Sequence, residues 1–389
     1  MNCPASPMDW SGRAEQLAAV VSAESPEWAP AVASTPRHML VPRWWRPNTD
    51  YSSWDLIDGP AAPDEWVNAA YTDATLVTRV GPHHADHADG ACTANGEPTS
   101  SSTLPGLVVS MLDHLHVDDG MRVVDVGTGC GYSAALLAFR LGDAAVLSVD
   151  VDQYLTVAAT ERLASFGRCP RLVSTDATRA LPGEGYDRLL ATVSVRPVPA
   201  SWLAALRPGG RLITTLAGTP LMLVAAVRED GTAAGRVLPE QATFMPARHG
   251  GNYAPRLDGV YADARTRPGD TVRPPAAAIP DLHHDWRAAT LLALVTPSVE
   301  HRSYRRPDGA RLTWLLHPGG SWARAEESAA GTALVHQAGP LCLWDEFETV
   351  RAAWERRGQP SLDQLRVELG PDGAGWLVWP GKPTWRLAL

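Results

Sequence analysis

Three glycines at alternate positions interrupt the stretch VVDVGTGCGY, residues 123–132. Gly127, Gly129 and Gly131 follow an apolar run that is typical of a buried strand and precede a segment with helical spacing. Glycine adopts backbone angles that other residues disfavour, and it lets a ligand approach the main chain closely. The pattern therefore predicts a ligand-binding turn between a strand and a helix.

An acid ends the apolar run that comes next. Asp150 lies about 20 residues after the glycines, where a carboxylate can accept hydrogen bonds from a ribose diol. A dinucleotide-binding turn would have its third glycine at position 132, where this chain has Tyr132. The spacing GxGxG favours a nucleoside ligand without a pyrophosphate, and we predict S-adenosylmethionine.

The third apolar run of this region ends in LVSTDA, where Asp176 can accept from an adenine amino group and Ala177 can offer a backbone amide. Ligands of open α/β sheets bind at the carboxyl ends of the strands, so these features should meet in one crevice. The predicted cofactor-binding residues are Asp125, Gly127, Thr128, Gly129, Gly131, Tyr132, Asp150, Val151, Asp176 and Ala177. The alternative is a glycine turn that only tightens packing, with the two acids as helix caps or solvated loop residues.

Five consecutive hydroxyl residues, Thr99 to Thr103, form what we call the hydroxyl run. An acceptor that is already ionised at neutral pH, such as a carboxylate with its pKa of about 4, would need no general base to attack a sulfonium methyl. Hydroxyl donors that hold it about 3 Å from the methyl would suffice. The predicted catalytic residues are Thr103, Ser102 and Thr192, and the predicted substrate-binding residues are Ser100 and Ser101. The alternative is a polar loop or a helix N-cap, and we expect one hydroxyl to cap and at least one to bind substrate.

Four possible metal ligands lie in one polar segment, namely His83, His84, His87 and Cys92. Their spacing does not match a familiar zinc site, and the residues around them are small and polar. We expect a solvated loop and no metal.

Strand and helix patterns alternate from Leu104 to Leu216, which predicts a parallel sheet with helices on both faces. We expect an α/β fold of the doubly wound, Rossmann-like class I methyltransferase type with a C-terminal α+β extension. The expected domains are residues 1–245, which include an N-terminal helical and loop segment, and an accessory domain at 246–389 for peptide binding or packing. Segments 46–70 and 81–100 are expected to be mostly loop.

The chain has 389 residues, a formal net charge of -9 and a pI of about 5.7. This charge argues against a nucleic-acid partner, which favours a basic face. No apolar run approaches the roughly 18 residues of a membrane span, and the N-terminus does not resemble a signal peptide. The five cysteines are scattered, which indicates reduced thiols; we expect a cytoplasmic protein with no membrane partner.

The sequence resembles the protein L-isoaspartate O-methyltransferase family over roughly residues 30–220. The similar segments are VVDVGTGCGYSAALLA (the cofactor loop), TPRHMLVPRWW (an upstream element), YTDATLV and PGLVVSML (before and after the substrate loop) and LRPGGRLI (the turn into the fifth strand). Thr103 stands at the position of the family's active-site serine, two residues before Pro105. The resemblance implies a carboxyl O-methyltransferase that uses S-adenosylmethionine.

Other segments resemble a peptide-tailoring subgroup of that family, which accompanies ATP-grasp ligases in graspetide pathways or lanthipeptide synthetases. They are PTSSSTLP in place of a Ser-x-Pro, TFMPARH, CLWDEFE, and the region after about residue 245, which repair enzymes are expected to lack. This resemblance implies methylation of an Asp side chain in a ribosomally made, macrocyclic precursor peptide, leading to aspartimide or isoaspartate. The expected partners are that peptide and the ligase or synthetase. The alternatives are an isoaspartyl protein-repair methyltransferase and a non-catalytic protein that binds the precursor.

Overall fold

The computed structural model describes residues 10–49, 52–90, 92–249, 257–380 and 384–389. Its helices are α1 (Ser11–Val21), α2 (Ala29–Ser34), α3 (Arg37–Leu40), α4 (Pro63–Ala70), α5 (Pro105–Leu115), α6 (Tyr132–Leu141), α7 (Gln153–Ser165), α8 (Ala200–Ala205), α9 (Asp258–Thr266), α10 (Trp286–Val295) and α11 (Leu343–Arg356). Its strands are β1 (Arg43–Pro47), β2 (Trp54–Asp58), β3 (Leu76–Val80), β4 (His83–His84), β5 (Thr93–Ala94), β6 (Pro98–Ser102), β7 (Val123–Val126), β8 (Val146–Asp150), β9 (Arg171–Ser174), β10 (Tyr186–Val195), β11 (Leu206–Leu216), β12 (Leu221–Val227), β13 (Ala233–Gln241), β14 (Thr271–Arg273), β15 (Glu300–Arg305), β16 (Arg311–Leu316), β17 (Trp322–Glu327), β18 (Ala333–Ala338), β19 (Arg366–Leu369), β20 (Gly375–Trp379) and β21 (Trp385–Ala388).

The central sheet has the strand order β21-β20-β19-β13-β12-β11-β10-β7-β8-β9. The five strands from β11 to β9 in this order are parallel, and the others are added antiparallel. β7 is buried along its whole length, as expected for a parallel strand that is covered on both faces. The chain runs from β7 to β8 on one side and comes back to β10 on the other, so a crevice opens at the carboxyl ends beside β7.

Alternate residues of the central strands pack into two cores, because successive side chains of a strand point to opposite faces. Val124 and Leu189 belong to the core that includes α8, α10 and α11, whereas Val123 and Leu190 belong to the core that includes α1, α2, α5 and α6. This arrangement confirms the predicted α/β, Rossmann-like class I fold with a C-terminal α+β extension.

A second sheet, β4-β3-β1-β2-β5 with β6 paired to β3, takes short strands from both segments that were expected to be mostly loop. Over residues 46–70 the expectation of mostly loop is wrong, because β2, α4 and the end of β1 occupy more than half of the segment, whereas the aromatics are packed as expected. Trp45 and Trp54 are buried, and their indole N–H groups donate to the carbonyl oxygens of His83 and Gly96. Most of the hydroxyl run belongs to this sheet, since β6 extends from Pro98 to Ser102.

The residues after 245 form a five-stranded antiparallel sheet, β14-β18-β17-β16-β15, and then return to the central sheet. β19 pairs with β13, and β20 and β21 continue beyond it. Leu223 of β12, Phe347 of α11 and Leu377 of β20 share one core. The central sheet thus runs across the expected domain boundary at residue 245, and that boundary stays a prediction.

The structure shows the state of four of the five cysteines and the lengths of the described helices. Cys92, Cys130, Cys169 and Cys342 are free, and Cys3 lies outside the described residues. Within the described ranges, no helix is both long and apolar enough to cross a membrane.

Candidate functional site

A cavity of about 310 Å³ opens at the carboxyl ends of β7, β8, β9 and β10, and we call it the strand-end cavity. The hydroxyl run, α5 and residues 243–248 complete its wall. Its volume falls within the range of about 300–1,000 Å³ that is typical of small-molecule sites. The predicted residues that line it are Ser100, Ser101, Thr103, Gly127, Gly129, Asp150, Val151, Asp176, Ala177 and Thr192.

The glycines of the first turn have left-handed backbone angles, with φ values of 96°, 52° and 90° at Gly127, Gly129 and Gly131. A Cβ atom on Gly127 would lie 2.9 Å from Thr192 Oγ1, and one on Gly129 would lie 3.3 Å from the Ser101 carbonyl oxygen. Glycine is therefore needed both for the angles and for the close approach of the two walls.

Asp150 ends β8 and lines the cavity. Its two carboxylate oxygens accept hydrogen bonds from the backbone N–H groups of Gly129 and Asp152, each at 3.0 Å. Burial raises the pKa of Asp150, and the two N–H donors oppose that shift. Each oxygen keeps a further lone pair, so the carboxylate can still accept from a ribose hydroxyl.

Asp176 lies just after β9, where Thr178 and His249 hold its carboxylate. The Thr178 N–H and hydroxyl lie 3.0 and 2.6 Å from Oδ1, and His249 Nδ1 lies 3.0 Å from Oδ2. Burial opposes ionisation of this group, but these donors outweigh it and lower the pKa of Asp176. The acid predicted to meet an adenine is thus kept ionised by partners that the sequence did not assign to it.

Four predicted cofactor-binding residues lie behind the cavity wall: Asp125, Thr128, Gly131 and Tyr132. Asp125 is buried and accepts hydrogen bonds from the hydroxyls of Ser133 and Ser148 at 2.9 and 2.7 Å. Burial raises the pKa of Asp125 to about 7, against these two donors. The Thr128 hydroxyl also bonds to Ser148, at 2.7 Å. This network supports the glycine turn and does not face a ligand in the cavity.

The hydroxyl run divides between the cavity and the interior. Ser101 and Thr103 line the cavity, and their hydroxyls have no hydrogen-bond partner among the residues that the structure describes. Ser100 lines it as well, but its hydroxyl accepts from Thr78 Oγ1 at 3.1 Å. Ser102 is buried away from the lining, and its hydroxyl accepts from Arg37 Nε at 3.2 Å. The structure thus places Ser102 where it fixes the run and not where it meets a substrate.

Thr192, at the far side of the glycine turn, is the third predicted catalytic residue. Its hydroxyl donates to the Gly127 carbonyl oxygen at 3.1 Å, and the side chain lines the cavity. This contact ties Thr192 to the turn, and since a hydroxyl oxygen also accepts hydrogen bonds, Thr192 can still act as an acceptor.

Helix α5 follows the hydroxyl run, but contrary to expectation no hydroxyl of the run caps it. Asp73 Oδ1 accepts from the N–H of Gly106 at 2.7 Å, and Thr75 Oγ1 accepts from the N–H of Leu104 at 3.2 Å. The cap therefore comes from the YTDATLV segment, which leaves the run's hydroxyls for other contacts.

Arg37 holds the hydroxyl run in place, a role that was not predicted from the sequence. It is 1% exposed, and its guanidinium lies between residues 70–74 and the end of the hydroxyl run. Its N–H groups donate to five carbonyl oxygens at 2.9–3.2 Å, those of Ala70, Thr72, Ala74, Ser102 and Thr103. The available signal was an arginine inside the apolar stretch TPRHMLVP, because a buried guanidinium must be paired.

The histidines of the polar segment make separate contacts. His84 Nε2 lies 3.2 Å from Asp152 Oδ2, which Arg79 also contacts at 2.7 Å. His87 packs on the ring of Tyr154 at 4.1 Å between centroids. Over the described parts of the chain, no group of three His, Cys, Asp or Glu side chains could hold a metal ion, and the absence of a metal stays a prediction.

Similarity to known proteins agrees with this geometry. The profile of the protein-L-isoaspartate(D-aspartate) O-methyltransferase family matches residues 64–250. A protein-L-isoaspartate O-methyltransferase of Methylorubrum extorquens is 31% identical over 202 residues, which cover 51% of this chain and 75% of that protein. The chain belongs to the protein-L-isoaspartate O-methyltransferase family. This membership confirms the predicted family and, because the family's enzymes depend on S-adenosylmethionine, the predicted cofactor.

Two further relatives show how far the similarity extends. Protein-L-isoaspartate O-methyltransferase 2 of Syntrophobacter fumaroxidans is 32% identical over 159 residues, and the chain spans 60% of the length of that relative. A solved protein-L-isoaspartate O-methyltransferase shares the fold with a TM-score of 0.51 and 20% identity, over 92% of this chain and 96% of that one. The similarity in fold to that solved chain thus includes the C-terminal region.

The residues of the strand-end cavity fit S-adenosylmethionine. Gly127 and Gly129 leave a wall without side chains, where an added Cβ would collide. Asp150 offers acceptors for ribose hydroxyls, and Asp176 offers one for an amino group. The hydroxyls of Ser101 and Thr103 remain for a second ligand.

Proposed function

We propose that this protein is an S-adenosylmethionine-dependent carboxyl O-methyltransferase that esterifies an isoaspartyl residue of a polypeptide. The observation that carries the proposal is the composition of the strand-end cavity. Glycines and acids line one side of this cavity, and hydroxyl side chains line the other. The described lining of the cavity contains no histidine, lysine or glutamate that could act as a base. Membership of a family named for isoaspartyl methylation supports this substrate.

The side chains of the cavity then have distinct tasks. When bound, S-adenosylmethionine supplies an electrophilic methyl group. The substrate carboxylate enters ionised, since its ordinary pKa is about 4. Thr103 and Ser101 donate hydrogen bonds to one of its oxygens, which turns the other oxygen toward the glycine wall. Thr192 closes the opposite side, so the carboxylate is oriented and shielded from water.

Arg248 adds a positive charge to a lining that otherwise carries the two acids Asp150 and Asp176. The residues before it are fixed to the end of β10, since Met245 and Ala247 exchange backbone hydrogen bonds with Ser194 at 2.9 and 2.8 Å. A cation held there offsets the negative charge of the acids and attracts an anionic substrate group.

A second candidate is the tailoring reaction on an Asp side chain of a macrocyclic precursor peptide made with an ATP-grasp ligase or a lanthipeptide synthetase. It is supported by Thr103, which adds a methyl group to the cavity at the position of the family's serine. The resulting ester would be attacked by the next backbone nitrogen, which gives an aspartimide or, after hydrolysis, an isoaspartate. A third candidate is a protein that binds the peptide without catalysis.

Methyl transfer from labelled S-adenosylmethionine to matched peptides tests these proposals. Three peptides of one sequence carry an isoaspartate, an aspartate, or an aspartate within a macrocycle. We expect label only in the isoaspartyl peptide, and none with an Asp150→Asn variant. Label only in the macrocycle would establish tailoring instead. Cofactor binding by calorimetry without transfer to any peptide would leave the binding role.

A further inference from the structure

The five-stranded C-terminal sheet ends in an exposed strand. β15 is its terminal strand, and β16 is the partner of β15 among the described strands. Ser303, Tyr304 and Arg305 at the end of β15 are exposed, with Tyr304 at 55%. Such an edge presents unpaired backbone N–H and C=O groups, which proteins usually cover or protect with charge.

Two arginines face each other at this edge, because Arg305 of β15 lies in register with Arg311 of β16. Like charges directly opposite one another in a sheet are unfavourable. Arg311 is compensated by an ion pair with Glu327 of β17. Arg305 has no acidic partner in the part of the chain that the structure describes. The positive charge of Arg305 is therefore exposed at the edge and available to an acidic ligand.

A groove of about 360 Å³ runs beside this strand. His301 and Arg305 lie on the face of β15 that lines it, because residues an even number apart share a face. His283 and His284 contribute from the loop opposite, and the acid of the lining, Asp281, lies 3.1 Å from His284. Beside this acid, the groove offers the cation Arg305 and the N–H donors of three histidines.

We propose that the edge of β15 is a docking site for an extended acidic segment of the polypeptide substrate, separate from the strand-end cavity. An extended peptide adds a strand to an open sheet edge through main-chain hydrogen bonds. Its acidic side chains would meet Arg305 and the histidines of the groove. The assignment of the bound segment to the substrate rests on the proposed function, whereas the docking itself does not.

Binding of a peptide that cannot be methylated tests the docking alone. The probe is a fluorescein-labelled ten-residue peptide of alternating Glu and Val, measured with the full chain by fluorescence anisotropy. One control peptide has Gln in place of Glu, and another has alternate backbone nitrogens methylated so that it cannot pair with a strand. We expect both controls to bind about tenfold more weakly or worse.

Two charge reversals locate the site on the protein. Arg305→Glu should weaken binding of the Glu–Val peptide at least about tenfold. Arg171→Glu is the matched control, because Arg171 is an exposed arginine on β9, the edge of the central sheet, and lies opposite Leu147. Equal circular dichroism and melting temperature verify that both variants fold. Wild-type affinity in Arg305→Glu, or equal binding of the backbone-methylated peptide, overturns the proposal.

Steady-state kinetics test whether the segment that docks at β15 belongs to the substrate. An isoaspartyl peptide with a Glu–Val extension should have a lower KM than the same peptide without it, with kcat unchanged, and Arg305→Glu should abolish the difference. An unchanged KM with the extension refutes the assignment to the substrate. If neither peptide is methylated while the probe still binds, the proposed function fails and the docking site stands.

Discussion

Arg37 lies outside the strand-end cavity. Its guanidinium donates hydrogen bonds to carbonyl oxygens of residues 70–74 and of the hydroxyl run, which both precede α5 in the chain. It also approaches the ring of Tyr132 at 5.5 Å, beside the glycine turn. A single buried side chain thus fixes the hydroxyl run and touches the helix that follows the turn. Its loss leaves several buried carbonyls without a donor, and each such group costs about 1–3 kcal/mol.

Arg37→Gln should lower the free energy of unfolding by about 3 kcal/mol, because one amide replaces several guanidinium donors. It should also lower kcat/KM, since Thr103 is no longer held. Urea denaturation and methyl-transfer kinetics measure the two effects. Arg46→Gln is the control, because Arg46 is 56% exposed in its side chain and its pair with Glu65 contributes about 0–1 kcal/mol. A similar loss in both variants contradicts the role of Arg37.

Thr103→Val removes the hydroxyl and keeps the shape of the side chain. We expect kcat/KM to fall about tenfold or more through lost orientation of the carboxylate, with the Kd for S-adenosylmethionine unchanged. Thr103→Ser retains the donor and should keep most of the activity. Steady-state kinetics and calorimetry distinguish the two effects. Full activity of the valine variant would show that Thr103 does not contact the substrate.

Asp125 should make stability depend on pH. Burial raises its pKa to about 7 in the folded chain, above the ordinary value of 3.8. Between these values the folded state holds a proton that the unfolded state has lost, so the free energy of unfolding falls as pH rises through this window. Asp125→Asn should flatten that slope, whereas Asp119→Asn, with a side chain that is 90% exposed, should not. Denaturation curves between about pH 4 and pH 8 measure both slopes.

At the scale of elements, the sequence predicted the glycine turn but not the strand that carries the hydroxyl run. Gly127 and Asp150 were predictable because a strand, a turn and a helix follow one another locally. The pairing of β6 with β3 was not, because it depends on contacts such as Leu76 with Ser102 that are distant in sequence. The residues of the hydroxyl run were therefore predictable from the sequence, whereas the strand β6 that carries most of them was not.

Asp73→Ala should destabilise the protein by about 0.5–2 kcal/mol, because the carboxylate caps α5 at the N–H of Gly106. Asp73→Asn keeps an acceptor oxygen and should lose less. Asp64→Ala, in the first turn of α4, is the control because no side-chain cap bond starts that helix. Chemical denaturation gives the three values. An equal loss in Asp64→Ala and Asp73→Ala would show that the effect is one of charge and not of capping.

At the scale of the whole molecule, the central sheet joins both halves of the chain. The local strand and helix patterns predicted the class I part, since each unit is short in sequence. They could not predict that β19 pairs with β13, because nothing between Arg236 and Arg366 encodes that register locally. The C-terminal region consequently supplies part of the core under β11 and β12, including Phe347 and Leu377.

A chain that stops at residue 245 should fail to fold cooperatively. It would expose the apolar face of the central sheet around Leu216 and Leu223, which α10 and α11 cover in the full chain. A chain that lacks only residues 384–389, and thus the edge strand β21, is the milder control and should fold with reduced stability. Calorimetry and analytical ultracentrifugation compare them. A soluble 1–245 chain with a cooperative transition would establish the domain boundary that the sequence predicts.

During translation, β13 is synthesised long before its partner strand β19. β13 ends at Gln241, and the neighbour that completes it begins only at Arg366. At about 5–20 residues per second, that interval lasts on the order of 6–25 s. Throughout it β13, which pairs with β12 on one side, keeps its other edge open, and such an edge can pair with another chain until β19 has been synthesised.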